Sequence, residues 1–389
     1  MATTDAADVT VLGGGVAGLA CAIACVRSGL AVTLLEQAPA LTEVGAGLQI
    51  APNGGRVLDA LGVDPPAIDN RAVHLIDGPT GRTLIRMPLG DEFRLIHRAD
   101  LIDALANRAR AAGVDIHLNT QVVALRDDGR ALMLADGTSI AARRVVGADG
   151  VRGAARRFVA PGHQPRYTGQ VAWRAIVPVD AWPGEAQVHV GPGRHLVCYP
   201  LRDGRSLNIV AVEERAAWAA EGWSHRDDPA ALRRAFAGFA RPVRGILDRV
   251  EDVHLWGLMD HGATPAWSRG VCTLIGDAAH PTLPFLAQGA NLALEDGWTL
   301  AAMLDRPAAW EARRRPRVAR ALRAAQRNAA NYHLTGPRRR IAHAALRIAH
   351  RIAPAAPLRG YAWLYDHDVT HGDARRGDRA GESGAAGEN

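Results

Sequence analysis

VTVLGGGVAGLACAIACVRSGLAVTLLEQ, residues 9–37, is the stretch whose reading decides the fold. An apolar, β-prone run (9–12) meets Gly13, Gly15 and Gly18 at GxGxxG spacing. A helix-prone run (16–28) follows and stops at Gly29; a second apolar strand (31–35) ends in Glu36 and Gln37. Each glycine has a physical task. Gly13 permits the tight turn, Gly15 leaves room for a pyrophosphate, and Gly18 lets the helix pack closely on the sheet. The helix N-terminus presents free N–H groups and a partial positive charge to phosphates. Glu36 stands where an acid can accept both ribose hydroxyls of an adenosine. The unit predicts dinucleotide binding and does not distinguish NAD from FAD.

Outward from this unit, composition sets bounds. The chain has 389 residues, 48% hydrophobic and 22% charged, enough for two or three domains with ample core. Residues 1–8 are short, polar and acidic, unlike a signal peptide, and no apolar run approaches the roughly 20 residues of a membrane span. A cytoplasmic location is therefore expected, with no membrane contact. Cys21, Cys25, Cys198 and Cys272 form no CxxC pair and read as small buried apolar residues, so no metal site is expected. Net charge is +6 and all 46 basic residues are arginine. The arginines between 306 and 359 lie on an alanine-rich helical pattern with no interleaved aromatic platform or known binding motif, which argues against a nucleic-acid partner.

Residues 1–165 alternate strand and helix patterns, including a helix at 101–112 closed by Gly113 with Asp100 as its expected N-cap. Strands follow at 114–118, 121–125, 131–134, 139–141 and 144–147, with turns at Asp128–Gly129 and Asp136–Gly137. From Tyr167 the texture changes to strands at 171–179, 187–190, 195–201, 207–212 and 253–258, interrupted by one helical pattern at 229–239. Such a run implies a mostly antiparallel sheet. A buried strand at 271–275 and helices at 290–304, 308–330 and 338–351 then resume the earlier pattern. The expected architecture is α/β (α+β overall). A Rossmann-like nucleotide domain (1–165 and 266–335) holds an inserted β-sheet substrate domain (166–265); a helical segment (336–372) and a disordered tail (373–389) follow.

Three further segments carry chemistry. In His97-Arg98-Ala99-Asp100, Arg98 stands at a helix start, either solvated or reaching the cofactor. In Val145-Val146-Gly147-Ala148-Asp149-Gly150, a strand ends in an acid and glycine turns the backbone beside a ligand. In Leu274-Ile275-Gly276-Asp277-Ala278-Ala279-His280-Pro281, an acid lies at the end of a parallel strand, where open α/β sheets place ligands. Gly289, Ala290 and Asn291 then open a helix whose N-terminus can stabilise negative charge.

Together these motifs, in this order, resemble the single-component FAD-dependent aromatic hydroxylases. Residues 42–50, the Trp173–Arg174 strand, residues 280–290 and Tyr361-Ala362-Trp363-Leu364-Tyr365 are similar to the salicylate hydroxylase branch, which includes relatives acting on 3-hydroxybenzoate and 6-hydroxynicotinate. The resemblance implies non-covalent FAD on Gly13, Gly15, Gly18, Glu36, Gln37, Gly47, Arg98, Asp149, Gly150, Asp277, Pro284, Gly289, Ala290 and Asn291. It implies NADH or NADPH as reductant, O2 captured as a flavin C4a-hydroperoxide, and a phenolic aromatic acid as the ring hydroxylated. It further implies His195 as the base that takes the phenol proton and Tyr199 as the orienting group; four residues apart on one strand, they share a face.

The ring's carboxylate needs a cation, for which Arg86, Arg174 and Arg194 are candidates; Arg174 and Pro284 are expected at the substrate. Pro284 tilts the reading away from 3-hydroxybenzoate. His280 is open between an active-site role and a structural turn. Gly153, where the family's motif commonly continues with serine, is expected to loosen local hydrogen bonding. A monomer or homodimer is expected. The competing functions are hydroxylation of another heteroaromatic or a secondary metabolite, a flavin oxidoreductase that inserts no oxygen, and a non-catalytic NAD sensor.

Overall fold

The computed structural model describes residues 7–41, 47–217, 224–262 and 264–371. The expectations placed on residues 42–46 and on the tail beyond 371 lie outside these. Strand Val9–Leu12 pairs in parallel with Val32–Leu35 on one side and Val145–Gly147 on the other. Asp115–His117 extends one flank, and Cys272–Leu274 with the short antiparallel Ser268–Arg269 extends the other, completing a six-stranded sheet. The chain thus reverses its direction of strand addition at Val9–Leu12, and a crevice opens at the carboxyl ends of the strands there.

The helix Val16–Arg27 is buried from Val16 to Cys25. Its small residues let it sit tightly between the sheet and helix Gly289–Ala301. A Cβ at Gly18 would overlap the Gly13 carbonyl oxygen, and one at Gly297 would lie 2.7 Å from the Cys21 nitrogen. Gly13 itself has φ +102°, a conformation that other residues rarely adopt. All four cysteines are buried and free.

The second sheet has eight strands, ordered Ser224–Asp227, Val253–Asp260, Arg166–Pro178, Ser206–Glu214, Arg194–Leu201, Ala186–Gly191, Ala72–Asp77 and Thr83–Pro88. It is antiparallel except where Ala186–Gly191 meets Ala72–Asp77. That last hairpin corrects the expected division, which assigned all of residues 1–165 to the nucleotide domain. One face of the sheet packs Trp173, Leu196 and Ile209 against Leu232, Phe236 and Phe239. The other face carries Ala172 and Val212 toward Phe285, Ala325 and Ala329 of the C-terminal half.

Two local expectations are also revised. The helix expected from residue 101 begins at Arg98, and His97 caps it by accepting the Ala99 N–H through Nδ1 (3.2 Å). Asp100 lies in the first turn and pairs with Arg202. The single helix expected at 229–239 is shorter, Pro229–Ala235, with a second helix at Arg241–Leu247. Among the described residues no helix is long and apolar enough to cross a membrane.

A buried charge cluster joins these parts. Glu295 and Asp296, both fully buried on helix Gly289–Ala301, receive Arg314 from helix Pro307–Tyr332 at 2.7 and 2.8 Å. Arg317 adds a second cation on Glu295 and donates to the carbonyls of Trp363 and Leu364. Burial opposes ionisation of Asp296, but His280 and Arg314 beside it hold its carboxyl down to about 2. Removing one member strands the others as uncompensated buried charge. Asp296→Ala is therefore expected to cost about 3–5 kcal/mol in urea unfolding, whereas exposed Asp305→Ala should cost under about 1 kcal/mol. Equal midpoints for the two variants would contradict this role.

Candidate active site

A cavity of ≈ 670 Å³ occupies the crevice. Its lining joins Gly13, Gly15, Glu36 and Gln37 of the opening unit to Gly47, Arg98, Asp149, Gly150 and Asp277. The same cavity is lined by Pro284, Gly289 and Ala290, and by Arg174, His195 and Tyr199 of the large sheet. Two expected contact residues stand behind this wall. Gly18 serves helix packing, as above. Asn291 ties three backbones together: its Oδ1 accepts the Ala51 N–H (3.0 Å), and its Nδ2 donates to the carbonyls of Gln49 (3.1 Å) and Ala287 (2.7 Å).

The nucleotide half is built from backbone donors. Helix Val16–Arg27 has no side-chain cap at Gly15 and no acid in its first turn. Its first N–H groups therefore have no partner within the helix. Nothing lies within 4 Å of where a Cβ on Gly15 would project. The Glu36 carboxylate accepts the N–H groups of Gly14 (2.6 Å) and Ala38 (2.8 Å), which fixes it at the strand end with further lone pairs to spare. Asp149 Oδ2 accepts the Ala155 N–H (2.9 Å), while Oδ1 is buried without a hydrogen-bond partner among the described residues. Burial pushes the Asp149 carboxyl up to about 6 against these backbone hydrogen bonds. A Cβ at position 153 would overlap Asp149, so glycine in place of the family's serine is tied to this side-chain position and supplies no hydroxyl to Oδ1. A cradle of free N–H groups, an open Gly15, a braced Glu36 and an orphaned carboxylate oxygen together fit a dinucleotide cofactor.

Asp277 is exposed to the cavity while protein surrounds it on its other sides. Burial raises its carboxyl, and Arg98, His280, Arg156 and Arg174 pull it back down. Arg156 was not singled out by any motif. It is buried and donates to the Ala278 carbonyl (2.6 Å), pinning the turn that carries Asp277. His280 does not reach the cavity. Its Nε2 lies 2.5 Å from Asp296 Oδ2, so the structural reading of this histidine prevails.

On the large sheet, strand Arg194–Leu201 alternates as expected: His195, Val197 and Tyr199 all line the cavity. Val210 and Val212 of the neighbouring strand, which no motif marked, line it too. Burial and the adjacent His333 hold His195 well below the usual imidazole range, so it is neutral near pH 7. Burial raises the Tyr199 phenol, opposed by Arg174. Of the three candidate cations, only Arg174 reaches the cavity, its guanidinium 5.4 Å from the Trp256 ring centre. Arg86 is engaged by Glu185 (2.7 Å), and Arg194 by Glu213 (3.4 Å) and the Ala235 carbonyl.

A model of the FAD binding domain family matches residues 6–325. The chain is 36% identical to 3-amino-4-hydroxybenzoate 2-monooxygenase PtmB3 of Streptomyces platensis, over 93% of this chain and 96% of that protein. It is also 36% identical to 3-hydroxybenzoate 6-hydroxylase of Polaromonas naphthalenivorans, over 81% of this chain and 84% of the relative. A salicylate hydroxylase solved as a substrate complex shares the fold at TM-score 0.77 and 22% identity, covering 94% of this chain and 97% of that one. With its glycine turn, Asp149, Gly150 and Asp277 in one cavity and relatives aligned over nearly its whole length, the chain belongs to the FAD-dependent aromatic hydroxylases.

Proposed function

We propose that this enzyme hydroxylates a phenolic aromatic acid of the hydroxybenzoate type. The observation that carries the reading is the convergence of Arg174, His195 and Tyr199 on the same cavity as Asp149 and Asp277. Arg174 offers a carboxylate a planar, multi-donor partner. Neutral His195 offers the phenol an acceptor, and ionising the phenol makes the ring electron-rich enough to attack an electrophilic oxygen. Tyr199 supplies a hydroxyl that orients the ring. Val210 and Val212 give the cavity an apolar wall beside these groups, which disfavours water there. The hydroxybenzoates named for the two relatives support this ring class.

Bound FAD, with NADH or NADPH as reductant, would activate O2, which is the source of the inserted oxygen atom. Gly13, Gly15 and the N-terminus of helix Val16–Arg27 would hold its pyrophosphate, and Glu36 its adenosine ribose. Arg98, Asp277 and the Gly289–Ala290 helix start would face the flavin end. A cytoplasmic, monomeric or homodimeric enzyme is part of the proposal, and the four unpaired thiols are in keeping with a reducing compartment.

The test is a panel of salicylate, 3-hydroxybenzoate, 4-hydroxybenzoate, 3-amino-4-hydroxybenzoate and 6-hydroxynicotinate with FAD-loaded enzyme and NADH. NADH loss, oxygen uptake and peroxide are followed together. A substrate gives equal NADH and oxygen consumption with little peroxide; peroxide alone for every compound would overturn the reading. Two variants sharpen it. Arg174→Ala should raise KM for the acid on the order of 10- to 100-fold while leaving KM for the phenol lacking the carboxylate nearly unchanged. Gly18→Ala should displace the helix at about 1–3 kcal/mol and release flavin, read as lost visible absorbance per protein.

A further inference from the structure

His195 Nδ1 lies 2.7 Å from His333 Nε2, and His333 Nδ1 lies 2.8 Å from Glu214 Oε1. The three groups come from different elements. His195 is on strand Arg194–Leu201, Glu214 ends strand Ser206–Glu214, and His333 follows helix Pro307–Tyr332. They lead outward. His195 lines the cavity, the His333 side chain is 2% exposed, and the Glu214 side chain is 55% exposed. Phe285 and Tyr332 flank His195, with ring centres 5.6 and 5.1 Å away.

We propose that His195, His333 and Glu214 form a proton exit from the substrate cavity to the surface, built on the reading of His195 as the group that takes the phenol proton. The carboxylate sets the direction. Ionised Glu214 only accepts, so His333 carries its hydrogen on Nδ1 and presents the lone pair of Nε2. His195 must then carry its hydrogen on Nδ1, which leaves Nε2 as the acceptor on the ring that lines the cavity. The phenol O–H bond breaks as an Nε2–H bond forms on His195. The Nδ1 hydrogen of His195 passes to His333 Nε2, and the Nδ1 hydrogen of His333 passes to Glu214, which releases a proton to water. No electron moves between groups, and each imidazole gains one proton and loses one. The reverse sequence returns a proton to the cavity.

Such an exit answers an electrostatic problem. An apolar pocket penalises a lasting imidazolium at His195. His333 is lowered too, by burial and by Arg194, but the Glu214 carboxylate beside it opposes that shift, a counterweight that His195 lacks. His333 and Glu214 act through His195 and touch no substrate, so they are positioning and relay residues.

The experiment uses FAD-loaded enzyme, NADH and the panel acid that the wild type hydroxylates. Glu214→Gln keeps an acceptor for His333 but cannot take its proton; His333→Phe keeps the ring volume and removes both nitrogens. Hydroxylation at pH 7 should fall on the order of 10-fold in each, with KM, flavin content and the rate of flavin reduction by NADH unchanged. The deficit should close as pH rises toward about 10, where a free phenol enters already ionised. Imidazole added to His333→Ala should restore part of the rate. Wild-type rates at pH 7 in Glu214→Gln and His333→Phe, or a deficit that does not change with pH, would overturn the relay while leaving the hydroxylase reading intact. If the wild type hydroxylates no panel compound, the aromatic-acid reading fails first and the phenol-proton exit fails with it.

Discussion

Two adjacent carboxylates, Glu295 and Asp296, buried on one helix, are the constraint on which the rest of the structure depends. Buried charges are tolerated only when paired and hydrogen-bonded. Here the partners come from every part that must be held in place. Arg314 and Arg317 bring in the long C-terminal helix, and through Arg317 the Trp363–Leu364 backbone. Asn53 Nδ2 reaches both Glu295 and Gln288, fixing the helix after strand Gly47–Ile50 to the loop that ends at Gly289. Asp296 accepts the Gly276 N–H and His280, and so sets the turn that presents Asp277. Glu295, Asp296, Arg314 and Arg317 do not line the cavity themselves, yet through Gln288 and the Asp277 turn they set where its wall stands.

The cavity itself is electrically uneven, and the unevenness follows from burial. Arg98, Arg174 and Asp277 are close enough to shift one another's protonation and form a charged region. His195 sits against Phe285 and Tyr332 and stays neutral. One region is suited to anionic groups and the other to uncharged proton transfer. The division arises along single strands: within Arg166–Pro178, Trp173 enters the apolar core while Arg174 turns to the cavity, because successive side chains point to opposite faces.

Features set by local pattern were legible in the residues. The Val9–Leu12 strand, the glycine turn, the helix and the second strand follow from short-range sterics, and His195 and Tyr199 share a face because a strand alternates. Motif order brought Arg98, Asp149 and Asp277 to one cavity. Features set by distant partners were not legible. Asp100 looked like a cap because it precedes an amphipathic run, but strand Arg94–His97 leads directly into the helix and His97 takes that place. Asn291 looked like a ligand and His280 was open between an active-site and a structural role; their hydrogen bonds go to backbone and to Asp296. Choosing among Arg86, Arg174 and Arg194 needed to know which face of the sheet each occupies and which carboxylates lie nearby. His333 carries no local signal, since its partners lie 138 and 119 residues away. The Glu295–Asp296 pair did leave a trace: two acids in an otherwise apolar helix.

The parallel pairing of Ala186–Gly191 with Ala72–Asp77 has a consequence for how such enzymes recombine. The substrate sheet is not one segment of chain. Its last two strands are encoded far upstream, inside the half that builds the nucleotide turn. Exchanging residues 166–265 for those of a relative would join a foreign strand edge to the resident hairpin, and register there would depend on side chains that never varied together. A mismatch leaves an open strand edge, the template on which chains aggregate. The natural unit of exchange is therefore either the whole chain or individual cavity side chains. New substrates in this architecture are more accessible by point substitution on the strand faces than by swapping the sheet.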